Sequence, residues 1–267
     1  MGIYDAYEHL KVTQDGPVLT ISLNNPPMNP IAGPRHRELS TIFREIDRDD
    51  SVKVAVLTAE GEVFSAGGDI KAIVRRHEEK DYESWPVTVA EACEITYSLL
   101  ACKKPIVARI NGNCLGLGAS VALMCDITVI VDDAVIGDPH VKIGLTAGDG
   151  GALIWPQHIG FARARSYLLL GEDVPAKVAA EIGLVSHCVP RDELDETVNR
   201  IVQKLVRLPG PGVQTTKQVI NKVLQRNFDG LVEASLGLET MALLGPEHRD
   251  AVFALRDRWA AKKGEPR

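Results

Sequence analysis

The chain has no basic excess. In its 267 residues, 30 lysines and arginines face 36 aspartates and glutamates, a net charge of −6. Nucleic acids and anionic membranes select for basic patches, so neither is expected as a partner. Long apolar runs are missing too. The most apolar region, 105–137, is interrupted by Arg109, Asn111, Asn113 and Asp126, whereas a membrane span needs about 20 nearly unbroken apolar residues. The N-terminal "MGIYDAYEHLK" has neither the apolar core of a signal peptide nor the arginine-rich pattern of a transit peptide, and a cytoplasmic location is expected. Cysteine is sparse and scattered, at positions 93, 102, 114, 125 and 188, with no C-x-x-C pair. An odd, dispersed set suits reduced thiols. There is no G-x-G-x-x-G, P-loop or G-x-S-x-G motif, which argues against a phosphate cradle for nucleotides and a hydrolase nucleophile elbow. The histidines other than His140 show no metal-ligand spacing, and no metal site is expected.

What is present is an alternation of strands and helices. Residues 8–23 read as two strands around "QDG". "PRHRELSTIFREIDRDD" sets Leu39, Ile42, Phe43 and Ile46 on one helical face. "VKVAVLT" and "PIVARI" have the pattern of buried strands, with helices from Asp69 and over about 86–102 between them. "ASVALMC" reads as a short apolar helix, and "ITVIVDD" and "AVIG" as two further strands. Past residue 150 the strands nearly stop, and from Arg191 the chain reads as helix after helix, broken at "PGPG", "NFDG" and "GPE". The expectation is an α/β core over 1–190 and a C-terminal helical region over 191–267. The late helices carry more apolar residues than one outer layer needs, which predicts an oligomer interface.

Two glycine loops share a design. "FSAGGDI" (64–70) and "NGNCLGLGAS" (111–120) each follow a strand and open a helix. A helix N-terminus presents free N–H groups and a partial positive charge, and small residues let a ligand oxygen approach them. Two such ends aimed at one spot would hold a developing oxyanion; each loop alone reads first as a turn.

With "LNNPPMNPI", "FSAGGDIK", "ARINGNCLGLGASVALMCDI" and the stretch from "GLTAGDGGALIWPQHIG" to "LVSHCVP", the chain resembles the crotonase superfamily of enoyl-CoA hydratases and isomerases over nearly its whole length. The resemblance implies a spiral of ββα turns with C-terminal helices that build homotrimers, often paired into hexamers. It implies an oxyanion hole from the backbone N–H groups of Gly68 and Leu117. It places the backbone of Ala66, Asp69 and Ile70 by the adenine of coenzyme A, and Met28 and Asn29 by the pantetheine arm. Coenzyme A then enters as part of an acyl-CoA substrate, with no separate cofactor and a place in fatty acid metabolism.

The sequence departs from that family where hydratases carry two glutamates. Ser120 stands at the first position and His140, in "DPH", at the second. A serine without a partner is no base at neutral pH, whereas a histidine with an ordinary pKa of about 6.5 is one. Asp149 precedes an apolar helical run, and spacing alone fits a helix cap. The resemblance offers another role. The β-diketone hydrolases of the superfamily look similar here, with a histidine and an aspartate at this separation, and they cleave a carbon–carbon bond by water attack on a carbonyl. His140 is therefore expected as base with Asp149 as its orienter. Glu239 lies where that branch has a site glutamate, though its residue type reads first as a surface helix residue. A Ser120–His140–Asp149 nucleophilic triad is the weaker arrangement. Trp155 is expected to pack in the core, and the basic tail "RDRWAAKKGEPR" to form a solvated helix end. The sequence thus predicts a hydratase-like or hydrolytic enzyme for an acyl-CoA or related β-dicarbonyl substrate; the alternative is a crotonase-fold scaffold that lost catalysis with its glutamates.

Overall fold

Every residue of the strand Val54–Ala59 is buried. Strands covered on both faces carry near-continuous apolar runs, which is how "VAVLTA" reads. The computed structural model describes residues 2–264, with side chains through residue 261. In it this strand, β3, lies inside a six-stranded sheet. β1 (Leu10–Asp15) and β2 (Val18–Leu23) form an antiparallel hairpin at one edge. β2, β3, β4 (Ile106–Ile110), β6 (Ile127–Val131) and β9 (His187–Val189) run parallel. A small second sheet joins β5 (Cys114–Leu115), β7 (Val135–Gly137) and β8 (Val174–Pro175).

Helix α1 (Pro34–Arg48) starts on a proline and buries the expected face of Leu39, Ile42, Phe43 and Ile46. It packs on α3 (Trp85–Ala101). Between them in sequence lies α2 (Ile70–Glu79), and the loop after β5 leads into α4 (Leu117–Met124), which is buried at every position. A helix apolar all round belongs in the interior. Trp155, in α5 (Gly151–Leu170), is fully buried beside Tyr167, as expected of a core residue. α6 (Ala176–Glu181) follows β8, and then come α7 (Leu194–Arg207), α8 (Gly210–Phe228), α9 (Leu231–Leu243) and α10 (Pro246–Gly264), separated at the anticipated breaks. Among the described residues no helix is long and apolar enough to cross a membrane.

This topology positions the site. β3 and β4 are parallel neighbours, so the loops that follow them emerge at the same edge, where the ligands of open α/β sheets bind. β7 runs parallel to β5 with Leu115 opposite Gly137, and the Gly116 N–H donates to the Gly137 carbonyl at 2.9 Å. The chain after β7 is thereby held against the second glycine loop. That chain is "DPH".

Candidate active site

The two glycine loops touch. Gly67 and Gly116 both have positive φ, 83° and 56°, open to glycine at little cost. A Cβ on Gly116 would lie 3.4 Å from Gly67 Cα and 3.5 Å from His140 Cε1; one on Gly67 would lie 3.0 Å from the Leu115 carbonyl oxygen. A side chain on Gly67 would crowd the facing loop, and one on Gly116 would reach contact with the imidazole. Gly68 follows Gly67, and Leu117 is the first residue of α4 after its Gly116 cap. Among the described residues the N–H groups of Gly68 and Leu117 donate to no protein acceptor outside regular helix bonding. Both residues line a cavity of about 1090 Å³.

His140 opens a 3-10 turn, His140–Ile143, directly after Pro139. Its Nδ1–H donates to Asp138 Oδ1 at 2.5 Å, and its backbone N–H donates to the same oxygen at 3.3 Å. The other ring nitrogen, Nε2, lies 3.4 Å from Asp149 Oδ2. The imidazole thus stands between two carboxylates. Nδ1, the place of an orienting carboxylate, belongs to Asp138, which the sequence analysis did not single out; Asp149 approaches the opposite nitrogen. His140 and Asp149 line the cavity, and Asp138 lies behind them with its side chain fully buried.

Asp149 is not a helix cap. Helix α5 begins after Gly150, and no side chain caps it. Instead the Ser120 hydroxyl donates to Asp149 Oδ1 at 3.1 Å. Ser120 is fully buried, so the hydroxyl fixes a carboxylate and does not reach the imidazole as a nucleophilic triad would require. Glu239 corrects the surface reading: it is 5 % exposed. Its spacing on α9 puts it on the same face as buried Val232, Leu236 and Leu243. Its Oε2 has no hydrogen-bond partner, and it packs so closely on Gly148 that a Cβ there would lie 2.6 Å from that oxygen.

Burial alone would pull the His140 imidazole below its ordinary value. The charge of Asp149, then that of Asp138 and the hydrogen bond to it, outweigh burial and raise it well above. Burial pushes Asp149 upward against the pull of the imidazolium. Glu239 is pushed up to about 8, mainly by burial, and is a neutral acid at pH 7. The raised imidazole thus stands between the Asp138 and Asp149 carboxyl groups, with the raised Glu239 acid nearby. Asp138, His140 and Asp149 each bring a ligand-type atom within 4.8 Å of the others. The short Asp138–His140 bond spends two of those atoms on each other, a poor start for a metal set.

The remaining expected contacts divide. Met28, Ala66, Asp69 and Ile70 line the cavity. The Asp69 side chain caps α2, accepting from Lys71 N at 2.9 Å and Ala72 N at 3.4 Å. Asn29 is a correction. It is 1 % exposed, and its amide donates to the carbonyls of Glu60 and Val63, each at 2.7 Å. Its side chain clasps the loops together and does not face the cavity. In the basic tail, Arg256 pairs with Glu78 at 2.8 Å, while Arg258 and Trp259 line the cavity; the side chains beyond residue 261 lie outside the described residues.

The fold is α/β, with two touching glycine loops beside a buried histidine–carboxylate cluster. The sequence profile of the enoyl-CoA hydratase/isomerase family matches residues 13–241, and the chain belongs to that family, within the crotonase superfamily. It is 30% identical over 220 residues to the short-chain-enoyl-CoA hydratase of Clostridium acetobutylicum, covering 81% of this chain and 82% of that one. A solved enoyl-CoA hydratase/isomerase from Mycobacterium paratuberculosis superposes with a TM-score of 0.89 at 33% identity, covering 94% of this chain and all of that one. A β-diketone hydrolase from the cyanobacterium Anabaena, solved with (S)-3-oxocyclohexyl acetic acid bound, superposes at 0.81 with 26% identity, covering 90% of this chain and 96% of that one.

Proposed function

We propose that this enzyme adds water to a carbonyl-activated substrate, an acyl-CoA or a related β-dicarbonyl compound, through an enolate. The observation that carries the reading is the His140–Asp149 pair, 3.4 Å apart on the cavity wall beside the two glycine loops. The substrate carbonyl oxygen accepts from the N–H groups of Gly68 and Leu117, which hold negative charge as it develops. For an enoyl thioester, water adds at the β-carbon; for a β-dicarbonyl, water attacks one carbonyl and the adjacent carbon–carbon bond breaks. Both routes leave the electron pair in an enolate. Asp149 takes the proton of water, and the His140 imidazolium returns one to the enolate carbon. The sequence-based expectation made His140 the base; the raised imidazole and the two flanking carboxylates support sharing the two proton transfers between His140 and Asp149. Asp138 orients the ring by accepting from its Nδ1–H.

Ala66, Asp69 and Ile70 would border the adenine and Met28 the pantetheine arm. The apolar side chains left exposed on α8 and α9 support a homo-oligomer with threefold contacts. A panel of enoyl-CoA thioesters, β-ketoacyl-CoA thioesters and cyclic 1,3-diketones tests the reading. Turnover of a member of one class is expected. Binding without turnover across the panel would assign the chain a scaffold role.

A further inference from the structure

One cation on the cavity wall has no use in that chemistry. Arg76, on the last turns of α2, lines the cavity and is half-buried. Its guanidinium lies over the Trp85 ring, 4.9 Å from the ring centre. Trp85 is itself locked: its indole N–H donates to Thr240 Oγ1 at 2.8 Å, and the Thr240 hydroxyl donates to the Leu236 carbonyl at 2.7 Å. Stacking occupies the flat face of the guanidinium and leaves hydrogen bonding to its edge. One terminal nitrogen makes a long contact of 3.4 Å to Ser84 Oγ, and Nε is buried with no partner. Among the described residues Arg76 forms no ion pair.

Other cavity cations differ. Arg37 is paired with Glu91 at 3.0 Å and Lys142 with Asp173 at 3.8 Å, while Lys71 and Arg258 are exposed. The nearest carboxylate, Asp81, acts on it only at a distance, through the Ser84 hydroxyl that donates to Asp81 Oδ2 at 2.7 Å, and burial outweighs that charge and pulls the guanidinium below its ordinary value. With Nε closed off, the two terminal nitrogens are the fork that takes a carboxylate end-on.

Position tells which part of a ligand would meet that fork. Arg76 lies six residues beyond Ile70, about 9 Å further along α2. Ala66, Asp69 and Ile70, proposed for the adenine, stand at the N-terminal end of that helix. Trp85 and Thr240 tie Arg76 to the segment of α9 that carries Glu239, whose side chain packs on Gly148 beside Asp149. On the reading that the enzyme takes acyl-CoA substrates, we infer that Arg76, stacked on Trp85, selects an acyl group that ends in a carboxylate. The substrate class is then the mono-CoA thioester of a dicarboxylic acid.

Saturated thioesters test this by binding alone, without turnover. Glutaryl-CoA and adipyl-CoA are compared by calorimetry with their methyl-ended counterparts of equal chain length. The wild-type protein is expected to bind one of the carboxylate-ended thioesters about 10–100-fold more tightly than its neutral counterpart, the worth of a charge-assisted double hydrogen bond. Arg76→Gln is expected to bring that ratio close to one, and Arg76→Lys to leave an intermediate ratio, since it keeps the charge and loses the fork. Thermal melting of both variants establishes that they are folded. A wild-type ratio near one overturns the inference, as does a ratio that Arg76→Gln leaves unchanged. Equal weakening of both thioesters and of free coenzyme A would instead place Arg76 on a phosphate of the coenzyme. If no thioester binds the wild-type protein, the acyl-CoA reading fails and this inference falls with it.

Discussion

Asp138 Oδ1 accepts from the Nδ1–H of His140 at 2.5 Å, across a single proline. The bond fixes which nitrogen faces the cavity, since the partner of one ring nitrogen sets the tautomer of the other. It also supports the imidazolium. Asp138→Asn keeps the shape and loses the charge, so it should lower the His140 pKa and reduce kcat by about 10–100-fold, the usual cost of losing such a support. The alkaline limb of the pH–rate profile should move to lower pH. A purely structural aspartate would leave that limb in place.

Glu239 carries a stability prediction with a definite sign. Its folded pKa, about 8, lies above the ordinary 4.5, so between those values the folded state holds a proton that the unfolded chain has released. Stability then falls as pH rises from about 4.5 to about 8, and this contribution is constant above. Glu239→Gln mimics the protonated acid without titrating. Its melting temperature relative to wild type should climb across that window and level off beyond it. A difference that stays flat with pH would show Glu239 to be unperturbed.

Gly68 allows a paired test of the proposed oxyanion hole. A Cβ at this position would meet only Ile73 Cδ1, at 3.9 Å. Gly68→Ala should therefore be folded and active, with its N–H in place. Gly68→Pro removes the N–H and should lower kcat by ~10²–10³. Equal turnover in the two folded variants would remove Gly68 from the site.

Much of this was readable in the sequence, and the unread part has a common cause. Branched alternation marked β2 and β3, and helical spacing marked the face of α1, because those patterns follow directly from burial on one side or both. His140 was legible by its place after a proline in a familiar segment. Asp138 was not, although it stands two residues earlier, because nothing local shows that the chain folds its carboxylate back onto the ring. Asp149 looked like a cap by local chemistry; the long-range bond to Ser120 takes it elsewhere. Glu239 could have been found from spacing, since it falls three residues after Leu236 and four before Leu243, both buried. The contact of Arg76 with Trp85 and the bond from there to Thr240 join α2, α3 and α9, and no pattern in the chain announces it.

The apolar side chains of α9 separate into two sets. Leu236 and Leu243 are buried, whereas Leu231, Leu238, Met241 and Leu244 are at least half exposed. Val219, Ile220 and Val223 on α8 add to the exposed set. Apolar patches of this kind mark interfaces. Light scattering at micromolar concentration should give a mass that is a multiple of three chains, and Met241→Glu should lower it. A wild-type monomer would contradict this.

The central claim is that the His140–Asp149 pair activates water toward a carbonyl-activated substrate. Mass spectrometry of reaction products formed in heavy-oxygen water tests it most directly, with wild type, His140→Ala and Asp149→Asn run on the thioester and diketone panel. One heavy oxygen incorporated per turnover is expected of the wild type. It predicts a loss of rate of ~10²–10⁴ in each folded variant, with substrate affinity little changed. Undiminished incorporation by Asp149→Asn, or a wild-type product without solvent oxygen, would contradict it.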